Sequence, residues 1–161
     1  MRNQSIILLF LFLGLMSCVK KGCTDINSDN FSSQAKKNDN SCLYRNMNMM
    51  SIIMPYSIYG VEDLRVYIKL FKKNDNGVIY NSDITTASYN TAFQFEDEFY
   101  FTNEIWTMEV WIIDSSMNEK RAIASDFNPF EIQPTSAQSL IRFNTVKDQD
   151  FYQVSMYYNL K

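Results

Sequence analysis

The side chains here that could do chemistry are carboxylates, because the chain contains no histidine. That removes the usual general base, the commonest metal ligand and every triad built on imidazole. The densest acidic group is Glu96, Asp97 and Glu98, with Glu104 a little further on. Two such carboxylates could share glycoside hydrolysis, and Glu98 would then be the residue to replace. A solvated loop face accounts for the same run. With four glycines in all, the chain has no Gly-rich phosphate loop. The other group with chemical potential is aromatic. Tyr80, Tyr89, Tyr100, Trp106, Trp111, Tyr152, Tyr157 and Tyr158 could stack on sugar rings or form a protein-binding face. Most of them occupy alternate strand positions that core packing explains. Trp111 shares its face with Thr107 and Glu109 and is the best candidate for exposure.

These residues need strands to place them. Ile105 to Ile113 reads as a long central strand, with Trp106, Met108, Val110 and Ile112 on one face and Thr107, Glu109 and Trp111 on the other. Asp114 to Glu119 is a polar loop leading to a second short strand near Ala122 to Ala124. Met49 to Tyr59 is an apolar strand, bent or ended near Pro55. Leu64 to Phe71 alternates with period two; Asn74 to Gly77 supplies a hairpin turn, and Val78 to Ser82 the returning strand. Thr91 to Phe95, Ser139 to Asn144 and Phe151 to Leu160 complete the set. Low Gly and Pro with many Tyr, Phe, Ile and Thr agree. The expectation is an all-β fold: an antiparallel two-sheet β-sandwich of about seven or eight strands over 46–161, with one core.

Arg2 precedes an apolar run from Ile6 to Met16, about the length of a signal-peptide core and too short to span a bilayer as a mature helix. It ends Leu15-Met16-Ser17-Cys18, which resembles a bacterial lipobox. The resemblance implies that 1–17 is a lipoprotein signal peptide and that Cys18, diacylated on sulfur, becomes the new amino terminus. Two or more acyl chains, at about 0.8 kcal/mol per buried methylene, make a permanent membrane anchor. The net charge of −3 includes Arg2, the one charged side chain of 1–17, so the mature chain carries −4. That charge, without a basic patch, argues against nucleic acid as a partner.

With Cys18 committed to lipid, Cys23 and Cys42 remain as an even pair in an oxidising compartment, and a disulfide between them is expected. Closing that loop contributes about 3 kcal/mol in the chain-entropy picture. Within the segment 18–45, residues 22–44 also resemble a short repeat of Bacteroidetes surface proteins and lipoproteins, through Gly22-Cys23-Thr24-Asp25, Asn30-Phe31, Ala35, Asp39-Asn40-Ser41-Cys42 and Tyr44. Ile26 stands where the repeat usually has Pro, and Asp39-Asn40 where it has Asp-Gly. Asn can take the left-handed backbone conformation that Gly would otherwise supply. Asp25, Asp29 and Asp39, with Asn27, Asn38 and Asn40, offer hard oxygen ligands to calcium, without the regular spacing of an EF-hand loop. The alternative is a solvated, turn-rich spacer stapled by one disulfide.

Asp63-Leu-Arg-Val-Tyr67, Tyr89-Asn-Thr-Ala-Phe-Gln-Phe95 and Met108-Glu-Val-Trp111 followed by Asp114 resemble the signature strands of the calcium- and lipid-binding sandwich of the protein kinase C conserved-region type. Carried over by position, the family's calcium ligands fall on Asp63, Ile112, Asp114 and Glu119. Ile112 cannot coordinate, and a site short of a bidentate acid weakens badly. The sandwich is expected to be kept and the calcium site lost, so no cofactor is expected, calcium being the one candidate. Lys120 and Arg121 are the basic residues near these loops. The function that follows is a non-enzymatic, lipid-anchored envelope lipoprotein whose sandwich binds a protein or envelope component. A carbohydrate-binding module of a glycan-uptake system is the alternative and a carboxylate hydrolase a third. After Cys18 the residues Val19-Lys20-Lys21 lack the acidic run that some of these bacteria use for surface export, so the periplasmic side of the outer membrane is favoured over the cell surface.

Overall fold

The computed structural model describes residues 19–75, 77–132 and 140–161. The expected signal peptide and Cys18 lie outside the described residues, as do Asn76 of the expected hairpin turn and Ser139. Two compact units are present. One comprises the described residues up to Ile26 with Asn30–Cys42; the other comprises Asn27–Asp29 with Leu43–Lys161.

In the smaller unit, β1 (Lys21–Gly22) pairs in parallel with β2 (Lys37–Asn38). Cys23 and Cys42 form the expected disulfide, with Cα atoms 4.8 Å apart, and Cys23 is buried. Asn40 has φ 64°, the left-handed conformation that the turn before Ser41-Cys42 requires. The turn is held by Asn40 N–H to Asn38 Oδ1 at 2.9 Å and Ser41 N–H to Asp39 Oδ1 at 3.1 Å. A Cβ on Gly22 would stand 3.3 Å from the Cβ of Ala35, so these two small residues admit each other's backbone.

In the larger unit, alternation of apolar residues makes the strands and two sheets bury them against one core. One sheet has the order β10 (Leu140–Lys147), β11 (Asp150–Leu160), β3 (Arg45–Ile53), β7 (Asn90–Gln94). The other runs β5 (Tyr80–Asn81), β4 (Arg65–Lys72), β8 (Trp106–Ile113), β9 (Glu119–Phe127), with β6 (Thr85–Thr86) also on β4. Every pairing in these two sheets is antiparallel. The fold is therefore the all-β two-sheet sandwich. Its core joins Met50, Ile52, Val154 and Met156 of the first sheet to Val66, Ile68, Leu70, Met108 and Val110 of the second. Each such side chain contributes roughly 1.5–3 kcal/mol on burial.

Several elements differ from the sequence expectation, the first two below for local reasons. The strand expected near Ala122 to Ala124 runs Glu119–Phe127, because a bulge opposite Val110 and Trp111 turns both Ala122 and Ile123 inward and breaks the alternation. The strand expected from Met49 begins at Arg45. A register shift between Tyr157 and Tyr158 leaves Met47 and Met50 both inward, three residues apart. It ends at Ile53, and Pro55, with φ −70°, starts one helical turn, α1 (Tyr56–Tyr59). The returning strand after the hairpin is only Tyr80–Asn81.

At the start of β3, Arg45 is buried at 6% exposure. Its Nη2 lies 2.5 Å from Asp29 Oδ1, its Nε donates to the same oxygen at 2.6 Å, and its Nη1 donates to the Pro129 carbonyl. The guanidinium also lies over the rings of Phe130 and Tyr158, at 4.7 and 5.1 Å.

Candidate functional site

The strand register decides which end of the sandwich carries which loops. Arg65 pairs with Ile113 and Ile113 with Glu119, so Asp63, Asp114 and Glu119 are brought to one end, as the positions carried over in the sequence require. Two of these side chains are engaged within the fold. Asp114 Oδ1 accepts the N–H groups of Ser116 and Asn118 at 2.9 Å each, and Oδ2 accepts Asn118 Nδ2 at 2.9 Å. These bonds, Asn118's first, hold its carboxyl below the usual range and fold the β8–β9 loop, in which Met117 has φ 65°. Glu119 accepts the Tyr67 hydroxyl at 3.1 Å. Arg65 donates to Met117 Sδ of the same loop at 2.7 Å. Asp63, exposed with φ 59°, is the third of the carried-over acids. Among the described residues no three His, Cys, Asp or Glu gather to hold a metal, and Asp25 and Asp39 belong to the smaller unit.

The outer face of the β4–β8–β9 sheet holds Trp111. It is half-buried, its ring stacked on Tyr67 at 6.2 Å and 16°, with Lys69 Nζ 4.4 Å over it. Its indole N–H donates to Glu109 Oε2 at 2.8 Å, and Arg121 Nη1 meets Glu109 Oε1 at 2.5 Å. The ring is thus one rung of a cross-strand ladder. Burial, then the Glu119 hydrogen bond, pushes the Tyr67 phenol up to about 12.

The acidic group lines a cleft of about 380 Å³ with Tyr80, Asp83 and Phe99. Within it Glu98 bonds Lys161 at 2.7 Å and Tyr100 at 3.1 Å; on another edge Glu104 bonds Lys72 at 2.8 Å. Each partner cation or hydroxyl holds its carboxyl below the ordinary range. A glycosidase acid needs the opposite shift.

The site that geometry does assemble lies on the same end as Asp63 and Asp114 but beside the other sheet. Tyr56 and Tyr59 of α1, Tyr89 before β7, Gln149 of the β10–β11 turn and Asp150 and Phe151 at the start of β11 wall a groove of about 480 Å³, floored by Ile53, Met54 and Gln153. Tyr56 and Tyr59 meet edge to face at 5.3 Å and Tyr59 and Tyr89 at 5.6 Å. Tyr56 is 73% exposed, Tyr89 58% and Phe151 47%. The walls are tied in place. Ser57 Oγ donates to Asp150 Oδ2 at 2.6 Å, joining helix to hairpin, and Met54 N–H donates to the Tyr89 carbonyl at 2.9 Å. A Cβ on Gly60 would stand 2.7 Å from both the ring and the carbonyl of Tyr56, so only glycine lets that ring lie across the helix end. The turn Asp148-Gln149 takes φ 51° and 73°, the left-handed pair of a two-residue hairpin. Burial, then Asp150 and Asp148, pushes the neighbouring Tyr152 phenol up to about 12. In the sequence Tyr89 stands out for its ring alone; Tyr56, Tyr59 and Phe151 do not, since residues so far apart carry no common spacing.

Two antiparallel sheets on one core place the chain in the class of all-β sandwiches, and solved members of that class are similar to it. A C2 domain is 15% identical over 74% of this chain and 97% of its own, with a TM-score of 0.45. A C2 domain of plant extended synaptotagmin 1 is 14% identical over 71% and 96%, at 0.40. Human GIVD cytosolic phospholipase A2 is 10% identical over 72% of this chain and 16% of its own, at 0.42. No family model and no curated protein matches the chain.

Proposed function

We propose that this chain is a non-enzymatic lipoprotein of the bacterial envelope, anchored through Cys18 in the outer membrane and facing the periplasm, whose sandwich binds a protein or envelope component. The observation that carries the binding role is the groove between α1 and the β10–β11 turn, pre-formed by the Ser57–Asp150 and Met54–Tyr89 hydrogen bonds and walled by exposed rings. A pre-formed apolar concavity with a few convergent polar groups is how proteins commonly hold ligands. The disulfide supports an oxidising compartment. The salt-bridged, ionised Glu98 and Glu104 support a role without acid catalysis. The glycan-binding alternative is favoured by one feature, the planar amides of Gln149 and Gln153 that line the groove beside those rings.

In-cell photocrosslinking tests the binding role. A photoreactive residue in place of Tyr89 traps an envelope component, and one in place of Val78, which is exposed on the hairpin at the opposite end of the sheets, does not. Equal trapping at both positions, or none at either, would contradict it.

A further inference from the structure

We infer that the groove is a binding site for a neutral sugar ring, an inference that rests on the binding-module reading. Four rings, Tyr56, Tyr59, Tyr89 and Phe151, provide apolar faces and edges for the C–H surface of a pyranose. Hydroxyl groups need planar donors and acceptors beside that surface, and Gln149 and Gln153 line the groove with them. Gln153 pairs with Asn144 on the neighbouring strand, so a second amide lies beside it on the same face of the sheet. Gln153 Nε2 donates to Asn144 Oδ1 at 3.2 Å, leaving each amide further donors and acceptors. Asp150 adds a carboxylate acceptor at the wall, its orientation fixed by Ser57.

The same residues disfavour other small ligands. Among the described residues no Lys or Arg lines the groove, so an anion has no partner. A quaternary ammonium needs rings standing apart around a gap, whereas Tyr59 touches Tyr56 and Tyr89 edge to face at 5.3 and 5.6 Å. Trp111, whose ring already carries Lys69, stands on the outer face of the other sheet. It therefore has no part in this site.

The experiment probes a glycan array of neutral and acidic oligosaccharides with the full chain in detergent, then titrates the strongest neutral binder calorimetrically. The expected result is saturable binding to neutral glycans, weakened about tenfold by Tyr89→Ala and again by Phe151→Ala. Gln153→Ala weakens it as well, and Trp111→Ala leaves it unchanged. Phe151 is exposed and its loss leaves the melting temperature in place, the loss of Tyr89 with its one ring contact to Tyr59 lowers it by at most about 5 °C, and Tyr89→Phe retains the affinity. Binding to no neutral glycan, affinity lost in Trp111→Ala but kept in Tyr89→Ala, or displacement by tetramethylammonium would overturn the inference. A protein trapped at Tyr89 with no glycan bound would overturn the sugar while leaving the binding module standing.

Discussion

Replacing Asp29 by Asn tests how the sandwich holds its buried cation. Arg45 is 6% exposed, and Asp29 Oδ1 receives both its Nη2 at 2.5 Å and its Nε at 2.6 Å. The substitution keeps shape and one acceptor oxygen but removes the negative charge that faces the guanidinium, which keeps the Pro129 carbonyl and the rings of Phe130 and Tyr158. Removing one member of a buried pair costs about 3–5 kcal/mol. The Asp29 side chain is 26% exposed and Asn still accepts, so the lower end, about 3 kcal/mol, applies. For a domain of this size that lowers the melting temperature by roughly 10 °C. Thermal unfolding followed by near-ultraviolet circular dichroism measures it. The double variant Asp29→Asn with Arg45→Met should unfold later than Asp29→Asn alone, because an apolar side chain leaves no charge to compensate. An Asp29→Asn protein melting within about a degree of the parent would refute the reasoning.

Two pH dependences follow. Tyr67 and Tyr152 ionise at about 12 in the fold against about 10 in the unfolded chain, so the native state keeps protons that the unfolded state loses. Their stabilisation is complete below about pH 10 and is lost as pH rises toward about 12. Phenolate absorbance should show a late step that Tyr67→Phe diminishes, and a single step near 10 would count against it. Asp114, Asp126 and Glu104 are held below the ordinary carboxylate range by Asn118, Lys73 and Lys72 respectively. Their contribution is present above about pH 5 and declines as pH falls through their lowered values. Urea midpoints that stay constant from neutral pH down to about pH 2 would contradict it.

Much of the sandwich was legible because long strands with one buried face obey period two: Val66, Ile68 and Leu70, or Tyr152, Val154 and Met156, announce themselves. What stayed hidden were departures from that period. The bulge at Ala122 concealed most of β9, and the shift opposite Tyr157 and Tyr158 concealed the start of β3. Asn40 could be read as a glycine substitute, since left-handed backbone is a local preference. Asp148-Gln149 could not, because neither residue marks a hairpin as Asn-Gly does. The carried-over positions Asp63, Asp114 and Glu119 did reach one end. Which bonds their carboxylates had already made depended on Asn118 and Tyr67, outside any motif. The groove is the extreme case, assembled by tertiary folding from residues 56, 59, 89 and 151.

The anchor is the claim on which the envelope role depends, and the intact mass of the protein extracted from membranes tests it most directly. The expected result is a chain that begins at Cys18, lacks residues 1–17, and carries the added mass of its acyl chains. An unmodified chain recovered in the soluble fraction with residues 1–17 still attached would contradict it.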